Sequence, residues 1–335
     1  MSGRIFGHMP DVRPVQQYEI HNGRMTARVT DLGAALVSCM IDGRDVALGY
    51  ETAEEYLRNA GNMGATVGRY ANRIRNGRFT LNGTAFQLPC NRPPHCLHGG
   101  REGFHRKLWR VTEYAKDAIT LELFSPDGDQ GFPGDLTVTA VYSLRDTALS
   151  LTYTAVSGAD TVCSLANHTY WNLAGHDGGH AALCEHVFTV PAAARCELDS
   201  DTVPTGRLCP VEGTVFDLRR GVRLGDVLDD PALTPTRGFD HPYSLPGQWA
   251  RAAAVRCGDT SMEVWSDAPC MQVYSGNGLP HVSGKNGAQY GPQTGFCLET
   301  QQFPDAPNCP SFPSTVLCAG EKKVYRTEYR FIKEL

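Results

Sequence analysis

The chain has 335 residues, 41% of them hydrophobic, and a formal net charge of −5, with a sequence pI near 6.1. That is enough apolar content for a sizeable core, and the absence of a basic block argues against nucleic acid or an anionic membrane as the main partner. No apolar run approaches the roughly 18 residues of a membrane span, and Met1 to Tyr18 lacks the apolar centre of a signal peptide.

Taken in chain order, strand signals dominate. Met25, Ala27 and Val29 alternate with polar neighbours, and Ile41-Asp42-Gly43-Arg44 reads as a tight hairpin turn. The one helix candidate runs from Ala53 to Asn59. Asn82-Gly83, set between Phe79-Thr80-Leu81 and Thr84-Ala85-Phe86, favours a type I′ turn. Leu136, Val138, Ala140, Tyr142 and Leu144 alternate, Arg145-Asp146-Thr147 turns the chain, and Leu149, Leu151, Tyr153 and Ala155 alternate back. Cys163 to Trp171 alternates too, placing Ser164, Ala166, His168 and Tyr170 on one face. The His, Asp and Gly run over residues 176–180 reads as loop. With 21 prolines and 35 glycines cutting the rest into short pieces, the fold class is all-β and antiparallel. No repeat, low-complexity tract or linker divides the chain, so residues 1–335 read as a single domain. Twelve cysteines scattered from Cys39 to Cys318, with no C-x-x-C pair and no secretion signal, read as free thiols in a reducing, cytoplasmic setting.

A few stretches carry polar chemistry in apolar surroundings. His168 sits among aromatic residues in Asn167-His168-Thr169-Tyr170-Trp171, where a satisfied core histidine is the plain alternative to an acid/base. Gly68 to Ile74 reads GRYANRI; Arg73, preceded by Asn72, offers a forked donor to vicinal hydroxyls, whereas Arg69, Arg75 and Arg78 read as solvated. Leu97-His98-Gly99-Gly100 pairs a histidine with glycines that allow close approach to the backbone. Asp240 stands between Phe239 and His241, and Gln272 and Tyr274 share a strand face. Glu299 lies in the apolar, β-prone run Phe296 to Gln301, where a carboxylate is costly unless paired or functional. The G-x-S-x-G elbow, the Walker loop and the dinucleotide fingerprint are absent, and the glycines between His176 and His180 speak against a helical metal site.

In this order the fragments GRYANRI, LHGG, NHTYWNLAG, GFDHPY, QVYSGNGL and LETQQFPDAPN resemble the aldose 1-epimerase (galactose mutarotase) family across nearly the whole chain. The resemblance implies a large antiparallel β-sandwich, with Glu299 as general base, His168 as general acid and His98 as a second histidine near the sugar ring. Asn72, Arg73, Tyr170, Asp240 and Gln272 match positions that line the sugar pocket. It implies a monomer or weak homodimer acting on a free hexose such as galactose or glucose, with no cofactor and no metal. Pro94-His95 and Ser275 depart from the family's usual pattern, and His95 would alter the pocket rim.

Exchanging the α and β anomers of a free sugar requires opening the ring and closing it on the other face. A carboxylate and an imidazolium on opposite sides of the ring can remove the anomeric proton and protonate the ring oxygen, and their opposite charges are expected to favour the ionised forms. Trp171 or Phe303 would cover the sugar's C–H side. Other readings stay open at this level. They are a hexose 6-phosphate mutarotase with Arg101, Arg106 and Lys107 at the rim, a glycoside hydrolase using Glu299 and Asp240, a non-catalytic sugar-binding module, and a metal enzyme built on His98, His168 and Glu299.

Overall fold

A computed structural model describes residues 3–58 and 61–333. Among them, three large sheets carry the architecture, and every pairing between strands is antiparallel. Five strands from Arg4–His8 to Arg44–Asp45 form an N-terminal meander in sequence order. A nine-stranded sheet centres on Leu136–Arg145, Ala148–Ser157 and the long C-terminal strand Lys322–Lys333, continuing through Thr260–Ser266 and Ala250–Cys257. A second five-stranded sheet runs Pro204–Pro210, Ala194–Leu198, Asp240–Ser244, Cys270–Tyr274, Cys297–Gln301.

The alternating sequences build this directly. In Leu136–Arg145 every second side chain is buried, and the partner strand answers in register: Ala140 opposite Tyr153, Tyr142 opposite Leu151, Leu144 opposite Leu149. That face forms one continuous core with Ile20, Ala27 and Val29 of the meander and with Tyr243, Met271, Val273 and Leu298 of the second five-stranded sheet. A large antiparallel sandwich results. Both tight hairpins form as expected: Asp42-Gly43 and Asn82-Gly83 have positive φ (49° and 80°, 50° and 79°) and close the pairs Ile41–Arg44 and Leu81–Thr84.

The expected helix forms over Ala53–Arg58, and Asn59 lies outside the described residues. Its start is a capping box: Glu55 N–H donates to Thr52 Oγ1 at 3.3 Å while the Glu55 carboxylate accepts from Thr52 N–H at 3.0 Å. Two sequence expectations are corrected. Residues 176–180 are not all loop, because a short helix, Gly179–Cys184, starts inside them and is anchored by the buried Leu183. Arg69 is not solvated: it is 1% exposed, and its guanidinium donates to the carbonyls of Pro133 (2.7 Å) and Gly134 (2.6 Å) and to Ser125 Oγ (2.7 Å). Loop carbonyls aimed inward need a forked donor, a demand that no local pattern around residue 69 reveals. Arg75 is half-buried and ion-paired to Asp199 at 2.7 Å, and Arg78 is exposed.

Candidate active site

The second five-stranded sheet explains how a carboxylate survives in an apolar run. In register, Gln272 faces Glu299 and Asp240 faces Tyr274, so Asp240, Gln272, Tyr274, Cys297 and Glu299 share one face. The opposite face supplies Tyr243, Met271, Val273 and Leu298 to the core. Both faces are covered, so the apolar signal in the sequence comes from one side and the chemistry from the other.

His168 arrives from a different direction. The expected strand from Cys163 to Trp171 forms only in pieces, pairing Ala166–Asn167 with Thr66–Val67 and Trp171 with Phe296. Backbone bonds clamp it nonetheless: His168 N–H to Ala65 C=O and Gly64 N–H to His168 C=O, both 2.9 Å. Asn167 locks the same stretch, donating to Gly64 C=O at 2.8 Å and to the Tyr142 hydroxyl at 3.1 Å. The shared face of His168 and Tyr170 holds, with ring centroids 5.1 Å apart.

These elements converge. His168 Nε2 is 3.7 Å from Glu299 Oε1, and the His98 ring stands edge-on to His168 at 5.2 Å. His98 Nδ1 accepts the Asn72 backbone N–H at 3.2 Å, which assigns the His98 proton to Nε2. Asn72 Oδ1 accepts from the Arg73 backbone N–H at 2.7 Å and from the Arg73 guanidinium at 3.4 Å. Gln272 Nε2 donates to Asp240 Oδ1 at 2.5 Å. Asn72 and His98 adopt positive φ (62° and 51°), a strained backbone of the kind functional sites retain. The glycines after His98 serve the chain's own packing, since a Cβ on Gly99 would lie 2.0 Å from the Gly68 carbonyl oxygen.

Burial dominates the electrostatics. It pushes the Glu299 carboxyl well above the usual carboxylate range, Asp240 adds to this, and Arg73 opposes it. Burial also lowers His168 to about 4 and holds His98 well below the usual histidine range. The expectation that opposite charges keep Glu299 and His168 ionised is therefore corrected: with both groups buried 3.7 Å apart, desolvation outweighs the attraction and favours the neutral pair. Glu299 Oε2 and Gln272 Oε1 have no hydrogen-bond partner among the described residues, so the face is polar and unsatisfied where a hydroxylated ligand would sit.

Each of the eight candidate side chains from the sequence thus lies on or beside this convergence. The aromatic covers do not: Trp171 is fully buried against Tyr329 and Phe331 in the core, and Phe303 stacks on Phe312 with ring centroids 4.5 Å apart. His95 is buried with its Nδ1 accepting the Asn76 N–H at 3.1 Å. Sequence reasoning set Tyr274 on the face of Gln272 but gave no site role to it or to Cys297; the Tyr274 ring centroid is 6.3 Å from that of His168, and the Cys297 sulfur is 3.6 Å from His168 Nδ1. Period-two spacing from Gln272 and Glu299 carries the signal for both. Ligand atoms of His98, His168 and Glu299 lie within 4.8 Å of one another, a set that could also hold a metal ion.

The sequence model of the aldose 1-epimerase family matches residues 16–330. The chain belongs to the aldose 1-epimerase family. It is therefore an isomerase, of the class that exchanges the anomers of aldoses. It is 36% identical to galactose mutarotase from Mus musculus, over 98% of this chain and 97% of that protein. It is 34% identical to aldose 1-epimerase from Haemophilus influenzae, over 96% and 97%. Among solved structures, an aldose epimerase homologue from C. elegans superposes with a TM-score of 0.88 at 27% identity, covering 96% of this chain and all of that one. Galactose 1-epimerase from Lactobacillus acidophilus superposes at 0.87 and 28%, covering 98% and 97%. No helix among the described residues is long and apolar enough to cross a membrane.

Proposed function

We propose that this aldose 1-epimerase interconverts the α and β anomers of free galactose, and of glucose, with Glu299 as the proton acceptor for the anomeric hydroxyl and His168 as the donor to the ring oxygen. The observation carrying this reading is the buried Glu299–His168 approach at 3.7 Å, beside a polar, unsatisfied sheet face. The pair holds one proton in common. Neutral carboxyl with neutral imidazole, and carboxylate with imidazolium, are two placements of that proton. A sugar hydroxyl donating to Glu299 supplies the hydrogen bond its buried oxygen lacks and, with Arg73, favours the carboxylate; the proton then rests on His168. Glu299 takes the anomeric proton as His168 protonates the ring oxygen, and the ring opens. Rotation about the bond beside the anomeric carbon and reversal of both transfers close it on the other face, each transfer contributing about 10²–10⁴-fold.

His98, neutral and carrying its proton on Nε2, donates to the sugar. Asn72, Arg73, Tyr170, Asp240 and Gln272 hold the remaining hydroxyls, and Tyr274 takes the place of Trp171 and Phe303 as the aromatic wall. In this reading residues 1–335 act as one domain, a monomer or weak homodimer in the cytoplasm. Twelve unpaired cysteines support a reducing setting. Polarimetry of freshly dissolved α-galactose tests the activity: the protein accelerates the approach to the equilibrium rotation, and a rate at the spontaneous value refutes it.

A further inference from the structure

Cys297 stands two residues before Glu299 in the strand Cys297–Gln301, so the two side chains project from the same face, about 7 Å apart along the strand. The His168 imidazole spans the gap between them. Its Nδ1 is 3.6 Å from Cys297 Sγ and its Nε2 is 3.7 Å from Glu299 Oε1. We infer that Cys297 is a positioning residue for the proton transfer: by donating its S–H to Nδ1 it holds neutral His168 as the tautomer whose proton sits on Nε2, facing Glu299 and the substrate. This rests on the acid/base reading above.

A neutral imidazole has one N–H and one acceptor nitrogen, so whatever binds one nitrogen decides the state of the other. Cys297 is fully buried, and a thiol in such surroundings keeps its S–H, so the sulfur offers a donor. The competitor is the carbonyl of His168 itself, which would accept an Nδ1 proton. That oxygen already accepts the Gly64 N–H at 2.9 Å, which leaves it one lone pair, so the preference for the Nε2 tautomer rests on the Cys297 donor. A thiol is also a forgiving partner. When His168 becomes an imidazolium, Nδ1–H donates to the sulfur lone pair, and because sulfur bonds weakly in both directions it locks neither protonation state.

The test uses the intact enzyme with ¹⁵N-labelled histidine. In the wild type, one- and two-bond ¹H–¹⁵N correlations of His168 should show the proton on Nε2. Cys297→Ala should mix the tautomers and lower kcat about tenfold with KM changed less than about threefold, the size range of losses from an orienting partner. Cys297→Ser, which restores a donor at the same place, should recover kcat to within about threefold of wild type. His168 protonated on Nδ1 in the wild type overturns the inference. So does an intact Ala variant with unchanged tautomer and kcat, or equal losses in Ser and Ala, which would make the thiol a matter of volume. Should the Ala variant not fold, the wild-type tautomer and the Ser variant decide. Turnover that survives Glu299→Gln would instead sink the acid/base reading and leave the tautomer measurement standing.

Discussion

Replacing Glu299 with Gln keeps the shape of the side chain and removes the proton acceptor, so it separates catalysis from folding. Turnover should fall by about 10²–10⁴-fold, the contribution of a positioned acid or base. Stability should move the other way. Glu299 is 3% exposed, and burial holds its carboxyl protonated in the folded state well above its ordinary value of 4.5. A raised folded pKa means that the native state keeps a proton the unfolded chain has lost. Stability is therefore fully present below pH 4.5 and declines as pH rises towards the folded value, by about 1.4 kcal/mol for each pH unit in that window. Gln has no such dependence. Its amide carries a constant cost of about 1–3 kcal/mol where it finds no partner, which offsets the curve without changing its slope. Thermal unfolding between pH 5 and 8 should show the variant gaining on the wild type as pH rises, while polarimetry shows turnover lost. A folded variant with turnover within tenfold of wild type would refute Glu299 as the base. A stability difference flat in pH would refute the buried, protonated carboxyl.

Burial also lowers His168 to about 4, so the acid limb of kcat/KM should fall near that pH and not near 6.5, and His168→Asn should abolish the limb along with about 10²–10⁴-fold of rate. A wild-type limb centred at 6.5 would contradict the desolvated imidazole. Asp240 adds to the upward push on Glu299, so Asp240→Asn should shift the alkaline limb to lower pH and raise KM for galactose; an unmoved limb in initial-rate profiles counts against the coupling. Exhaustive dialysis against a chelator should leave the rate unchanged, whereas loss reversed by added zinc would establish His98, His168 and Glu299 as a metal site. Galactose should exceed galactose 6-phosphate in kcat/KM, because Lys107 is ion-paired to Asp129 at 2.5 Å and Arg106 donates to the Leu57 carbonyl at 2.9 Å, so a phosphate would have to compete with existing partners for both. Preference for the phosphorylated sugar would overturn that choice.

What could be read in the sequence was what is periodic or locally encoded. Alternation over Leu136 to Ala155 has one cause, a half-covered sheet, so those strands and their hairpin formed as expected. Asn-Gly turns encode φ in two residues. The fragments around His98, His168 and Glu299 carried the site because each places an ionisable group where apolar neighbours make it costly. Legibility failed where the cause is a contact distant in sequence. Arg69 reads like the exposed Arg78 until the carbonyls of Ser125, Pro133 and Gly134 turn towards it. Trp171 reads like a pocket wall beside His168, yet alternation sends it to the other face, against Tyr329 and Phe331. The protonation states escaped for a related reason. Opposite charges are visible in a sequence, whereas the loss of water that outweighs them at 3.7 Å exists only in the packed structure.

That same packing accounts for the choice of a sheet as the platform. A sugar ring presents hydroxyls around its edge, and a proton must leave at one point and arrive at another while the ring stays in place. Antiparallel strands answer this with a fixed grid: Glu299 and Gln272 stand directly opposite, with Asp240 one strand further along the same face. The reverse face is locked into the core through Met271, Val273 and Leu298, so the grid cannot rotate without disrupting the sandwich. His168 is delivered to the grid by a clamped segment from outside that sheet. In the proposed mechanism the base stands on the sheet and the acid on a segment tied to it through the Trp171–Phe296 pair, and neighbours bias each group: Asp240 and Arg73 act on the carboxyl, and Cys297, on the base's own strand, on the far nitrogen of the imidazole. In that mechanism the one proton shared between Glu299 and His168 lets ring opening and its reversal run with the same two groups.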